Sequence, residues 1–187
     1  TPNATALYTD LSLWDVHRTQ LPLLTLVKPR LAEDIARSLL TMLKEGGELP
    51  RWPFATGYTG CMFGSGGGRF LADAAVKGLT VDIAAAWAGM KAQAAPPEQG
   101  PRLDKRGFDS YAKEGYVSKE SQPQGSVSYS LAYAIDDHAA ATLARMNGDD
   151  EASAALFNRS TSYRNMWDPK HGFFCARAGG GNGGAFE

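Results

Sequence analysis

The stretch from about Ser126 to Met146 is long, alanine-rich and unbroken, and it runs into Asn147-Gly148, a pair that supplies a left-handed helix stop. It reads as one long helix, and its surroundings repeat one theme of helix, short loop, helix. Upstream, Leu31, Ile35, Leu39, Met42 and Leu43 recur at helical spacing. Pro29 stands in the first turn of that helix, where a missing N–H is harmless, and Gly46-Gly47 ends it. A helix from about Arg69 to Lys77, closed by Gly78, and another from about Val81 to Ala94, stopped by Pro96-Pro97, follow. After the long helix, Asp149 caps a further one that runs to about Asn165, with Asp150 and Glu151 matching its positive N-terminus. Gly172 to Arg177 reads as a short strand or hairpin arm.

Residues 96–125 are rich in Pro, Gly, Ser, Lys and Gln and read as loop, with a short helical turn near Phe108 to Lys113. Helices of the same character resume afterwards, so this stretch is not a domain linker. Successive helix pairs with irregular loops predict an all-α fold, either a toroid of hairpins or a plain bundle. The 187 residues suffice for one domain with a hydrophobic core. A net charge of −1 builds in no attraction to nucleic acid or anionic membrane. No apolar run approaches the roughly 20 residues of a membrane span. The chain begins without methionine and ends on Gly183-Gly184-Ala185-Phe186-Glu187, which reads as a segment of a longer protein.

HExxH, the Walker loop, the GxSxG elbow and Cys/His zinc spacing are all missing from the sequence. The run Gly64 to Gly68 precedes a helix and suits either a flexible turn or a phosphate on the helix N-terminus. His17, His138 and His171 have no ligand spacing and read as packing or surface residues. Cys61 and Cys175 are read as two free thiols or one disulfide. Asn3-Ala4-Thr5 and Asn158-Arg159-Ser160 are glycosylation acceptors in pattern and fit a secretory route. Asp136 and Asp137 lie about 100° apart on the long helix. One can face a pocket while the other is solvated; otherwise they are a solvated pair or a buried acid bonded to an arginine. Two acids and an indole, Asp10, Trp14 and Asp15, stand near the start, and Trp52 and Tyr58 flank Pro53. Flat apolar faces beside carboxylates suit sugars, which offer C–H surface and hydroxyl protons.

Longer blocks are more specific. They are Tyr8 through Asp15, Arg18-Thr19-Gln20, Pro22-Leu23-Leu24, Glu45 through Trp52 and Gly60 through Gly64, then Ala72-Asp73-Ala74, Lys77-Gly78 and Gly115-Tyr116-Val117. Val127-Ser128 through Asp136-Asp137, Arg159-Ser160, Tyr163-Arg164-Asn165, Trp167-Asp168 and Gly172-Phe173 complete the series. Together, in this order and over nearly the whole chain, they resemble the catalytic domain of glycoside hydrolase family 92. The resemblance implies an exo-acting, inverting, calcium-dependent α-mannosidase that takes terminal mannose from glycans, secreted or lumenal. It also implies part of an (α/α)6 barrel of helix hairpins with short hairpin and loop insertions over 1–187. An N-terminal β-sandwich and the remaining barrel hairpins would lie outside this chain.

Inversion needs an acid on the leaving oxygen and a base that activates water on the opposite face. The resemblance puts the base aspartates beyond Glu187 and the acid two residues before Gly60, where Tyr58 stands. A phenol is a poor donor at neutral pH, although mannosyl phosphodiesters need little protonation of their leaving group. A carboxylate associated with the metal is expected between Leu131 and Tyr133, where Ala132 stands; its loss weakens an oxygen-ligand calcium site. Trp14 and Asp15 match the part of the motif that contacts the terminal mannose, and Arg18, Trp52 and Tyr58 are the further substrate-binding candidates. Two readings stay open: a mannosidase, including one for phosphorylated linkages, or an impaired carbohydrate-binding or structural module of an extracellular assembly.

Overall fold

Gly46-Gly47, Gly78 and Asn147-Gly148 stop the helices where the sequence places them. The computed structural model describes residues 6–95, 105–180 and 184–186, so Asn3-Ala4-Thr5 and Pro96-Pro97 lie outside the described residues. Its helices are α1 (Leu13–Val16), α2 (Gln20–Val27), α3 (Pro29–Gly46), α4 (Gly66–Val76), α5 (Ile83–Ala94), α6 (Phe108–Glu114), α7 (Ser126–Met146) and α8 (Asp150–Ser160). A 3-10 helix, Thr161–Met166, follows α8. Two small antiparallel hairpins join them: β1 (Pro53–Phe54) with β2 (Gly57–Tyr58), and β3 (Trp167–Asp168) with β4 (Phe173–Phe174).

Pro29 opens α3, and Gly47, at φ 83°, takes the left-handed position that ends it. Asp82 caps α5 by accepting from the Ala85 N–H at 3.0 Å, and Asp149 caps α8 through Ala152. The same Asp149 carboxylate accepts from Trp87 Nε1 at 3.2 Å and Lys91 Nζ at 2.9 Å, tying the start of α8 to α5.

Two helical hairpins and one further helix pair result. In α4–α5, Gly68 meets Met90 while Ser65 bonds to Gln93, and in α7–α8 Asp137 meets Arg159 while Ser153 Oγ donates to the Ala141 carbonyl. In each case one partner moves up the chain as the other moves down, the mark of antiparallel packing. Helices α2 and α3 form the third pair, and α7 packs against α4, α5 and α8. Its buried face is small-sided, with Ala132, Ala134, Ala139, Ala140, Ala141 and Ala144, so neighbouring helices approach closely. The main core gathers Leu13, Leu21, Leu39, Phe70, Leu71, Met90 and Leu143; a second cluster is aromatic, with Phe108, Tyr111, Tyr129 and Tyr133 around Val117.

The structure departs from the sequence reading in four places. Helix α4 starts at Gly66 rather than Arg69, because the glycines form a buried first turn and not a flexible one. The last helix stays α-helical only to Ser160; Ser160 Oγ and Thr161 Oγ1 donate three residues back and the chain tightens into the 3-10 turn. Helices α1 and α2 have no counterpart in the periodicity; α2 is apolar nearly all round, so it shows no amphipathic stripe. The hairpin at 53–58 was also absent from that reading. Cys61 and Cys175 are free thiols.

Candidate functional site

Helix α1 is one turn long, and its position depends on what it rests against. Leu13 is fully buried, and its carbonyl lies where a side chain on Gly66 would stand; a Cβ there would be 2.5 Å from the Leu13 oxygen. Only glycine lets α1 sit directly on the N-terminus of α4. Upstream, the Tyr8 N–H donates to Ser38 Oγ on α3, while Thr9 and Asp10 bind the carbonyl and N–H of Ala55 at the tip of the β1–β2 hairpin. These bonds hold Ala55 at φ 50°, the left-handed conformation that a two-residue turn demands.

From α1, Trp14 meets Phe63 edge-on at 6.0 Å, and the Arg18 guanidinium lies 4.8 Å from the centre of the indole. Asp15 and Arg18 are exposed and Trp14 is half-buried. Phe63 stacks in turn on Tyr129 of α7 at 4.4 Å. The loop 59–64 is thus wedged between α1 and α7. Met62, at φ 61°, carries backbone strain there, and its carbonyl accepts from Arg51 Nη1.

Beneath this surface runs a polar chain. His17 Nδ1 lies 2.7 Å from the Leu13 carbonyl and Nε2 lies 2.9 Å from Arg69 Nη1. A guanidinium only donates, so Nε2 accepts and Nδ1 carries the proton: the imidazole is neutral. Burial, and then the Arg69 charge, hold its pKa below the usual value. Arg69 also donates from Nε to Asp136 Oδ1 at 2.7 Å and from Nη2 to the Ala132 carbonyl at 3.0 Å. Asp136 Oδ1 accepts the Ser65 N–H at 2.9 Å as well. The anion on the N-terminus of α4 is therefore this carboxylate, where the sequence left room for a phosphate.

Asp137 points elsewhere. Arg159 binds both its oxygens, at 2.7 and 2.6 Å, and the Tyr111 hydroxyl donates to it at 2.7 Å. Burial pushes this carboxyl up from its ordinary pKa, and Arg159 opposes that shift. Neither acid is solvated: each holds its own arginine. Asp136, Asp137, Arg51 and Lys105 are among the residues lining a cavity of about 40 Å³. That volume holds water but is too small for a hexose.

The remaining candidates are separated from α1. Tyr58, on β2, aims its hydroxyl at the Met42 and Glu48 carbonyls, 2.7 and 2.9 Å away at the end of α3, and packs on Gly46. Burial, with Glu48 and Glu45 adding to it, pushes its pKa up to about 12. Trp52 is half-buried, and its carbonyl accepts from Thr59. Ala132 is 7% exposed, one guanidinium away from His17. His138 packs edge-on against Phe157 and is exposed. Asn158 is exposed on α8, but Ser160 of the same acceptor tripeptide is buried. Arg69 and Phe63 were missed as organisers of this region. A lone arginine between Gly68 and Phe70-Leu71, in a helix otherwise small and apolar but for Asp73, was the available signal.

Residues 1–186 match the family model described as the glycosyl hydrolase family 92 catalytic domain. Among solved structures, a family GH92 inverting mannosidase from Bacteroides thetaiotaomicron VPI-5482 superposes with a TM-score of 0.82 at 32% identity, covering 94% of this chain and 24% of that one. A family GH92 α-mannosidase from Bacteroides thetaiotaomicron, in complex with mannoimidazole, gives a TM-score of 0.82 at 31% identity, covering 94% of this chain and 23% of that chain. The chain thus spans about a quarter of the length of these structures. No curated protein matches it.

Proposed function

The chain belongs to glycosyl hydrolase family 92, and from that premise we propose that it supplies the first hairpins of the (α/α)6 barrel of an inverting exo-α-mannosidase acting on terminal mannose of glycans. The observation that carries this reading is the seating of α1. Trp14 and Asp15 stand at the surface on a turn fixed by Gly66, by Phe63 and by the His17–Arg69–Asp136 chain. An indole face for the C–H side of a sugar, next to an exposed carboxylate that accepts hydroxyl protons, is a sugar contact on a rigid support.

Tyr58 does not supply the proton for the leaving group. Its hydroxyl is committed to backbone carbonyls, and with a pKa near 12 it is a feeble acid at neutral pH. The substrate that suits this arrangement is a mannosyl phosphodiester, whose leaving group departs with little protonation. Arg18, exposed beside Trp14, suits the phosphate side of such a substrate. Trp52, half-buried just before the hairpin, is the wall in this reading. The general base lies outside this chain in this reading.

Calcium, which the family resemblance implies, does not fit the residues around Ala132. That position offers no carboxylate, Asp136 is taken by Arg69 and the Ser65 N–H, and the nearest charged group is a guanidinium. Six to eight oxygen ligands are needed, and among the described residues no such cage forms here. No step is assigned to the ion. Secretion belongs to the same proposal; no helix among the described residues is long and apolar enough to cross a membrane.

The test is mannose release by the intact protein from mannose-1-phospho-6-mannose and from α-1,2-mannobiose, each with calcium and with chelator. Release from the phosphodiester, with the mannobiose nearly untouched, is the expected result. Release from neither substrate by folded protein that still binds mannose would replace the enzyme with a binding module.

A further inference from the structure

The β3–β4 hairpin carries a donor set of its own, unconnected to the region around α1. Asp168 ends β3, His171 lies in the turn, and Cys175 follows β4. One ligand atom from each residue lies within 4.8 Å of the other two, and no other such convergence occurs among the described residues. Asp168 is only 4% exposed. The Lys170 N–H donates to its Oδ1 at 2.8 Å, which leaves Oδ2 facing His171 Nδ1 at 2.5 Å. Cys175 is fixed from the other side: its N–H donates to the Met166 carbonyl at 2.8 Å, clasping the two ends of the hairpin together.

A simpler use exists for two of these groups, since Asp168 orders the turn and pairs with His171. It gives the thiol no part. A carboxylate oxygen, an imidazole nitrogen and a sulfur are together the donors that zinc-class cations take, and calcium would take only the first. Around a tetrahedral zinc-class ion, with bonds of 2.0–2.3 Å, ligand atoms stand about 3.5 Å apart. From a spread of at most 4.8 Å, a closure of about an ångström completes the set, within reach of the exposed His171 side chain.

We propose that this hairpin binds one zinc-class divalent cation through Asp168, His171 and Cys175, with the fourth position open to solvent. On binding, the thiol proton leaves to solvent as the thiolate ligates. The proton between Nδ1 and Oδ2 moves to Nε2, so the imidazole stays neutral and Nδ1 is freed for the metal.

Cobalt(II), followed by zinc, titrated into the intact protein under a non-chelating reductant tests the site. The expected result is one equivalent of cobalt, a thiolate-to-cobalt charge-transfer band, and loss of that band on adding zinc. Cys175→Ser removes the band. His171→Ala, in an exposed turn and checked for fold by circular dichroism, weakens binding by at least the roughly 10–100-fold that supporting residues alone are worth. Cys61→Ser changes nothing. No stoichiometric uptake by folded protein overturns the proposal. So does a band that survives Cys175→Ser or vanishes with Cys61→Ser.

Discussion

Tyr58 stands where the family resemblance expects a carboxylic acid, and its hydroxyl serves the backbone at the end of α3. Tyr58→Phe should therefore cost about 1 kcal/mol of stability, the worth of a buried hydroxyl's bond, and leave mannose release from the phosphodiester unchanged. A fall of more than about tenfold in kcat would return the phenol to the chemistry. Arg69 and Asp136 form an ion pair whose side chains are 7% and 16% exposed. Arg69→Ala leaves a carboxylate in that setting with one backbone donor, and we expect a loss of about 3–5 kcal/mol in chemical denaturation. His17 adds a pH dependence of known sign. Its folded-state pKa is held below 6.5, so on acidification the unfolded chain takes up a proton first. The stability this position contributes is therefore present above pH 6.5 and lost as the pH falls. Thermal midpoints at pH 7.5 and 5.5 should diverge less in His17→Gln than in the parent protein; equal divergence would remove His17 from the account. The indole and carboxylate of α1 were named as candidates in the sequence because a motif marks them. The arginine holding them was not, since nothing local marks which acid, 67 positions away, would claim it.

At the scale of elements, two glycines of α4 carry different loads. A Cβ on Gly66 meets the Leu13 backbone, whereas one on Gly68 meets the Met90 side chain. Each alanine substitution should cost about 1–3 kcal/mol as overpacking. Only Gly66→Ala should also depress mannose release, by displacing α1; equal activity in the two variants would show that the seat of α1 is irrelevant to turnover. Capped and punctuated helices were the readable ones: Gly47, Gly148 and Asp149 place the end of α3, the end of α7 and the start of α8 to within a few residues. Helix α2 was not, because apolar residues on nearly all its sides, Leu23, Leu26 and Val27 exposed among them, leave no stripe for periodicity to detect. The 53–58 hairpin depends on Asp10 and Thr9 reaching back across α3, a contact no local window contains.

For the whole molecule, α7 is the helix that α4, α5 and α8 all touch. Amide exchange followed by mass spectrometry should find the middle of α7 slowest, with α6 and the β3–β4 hairpin opening long before it. Uniform exchange across the helices would contradict that order. The architecture as an all-α stack of hairpins was legible because turn chemistry recurs at short intervals, while the order of contacts around α7 came from small side chains that carry no directional signal. Asp136 and Asp137 add a consequence of another kind. As neighbours on one helix they point about 100° apart, and each is latched to an arginine from a different helix, α4 on one side and α8 on the other. The angular phase of α7 is thereby indexed at two points at once. A single inserted residue upstream of the pair, within α7, would rotate both latches out of mesh together. Length changes in this helix should thus be accommodated only near its ends or in whole turns.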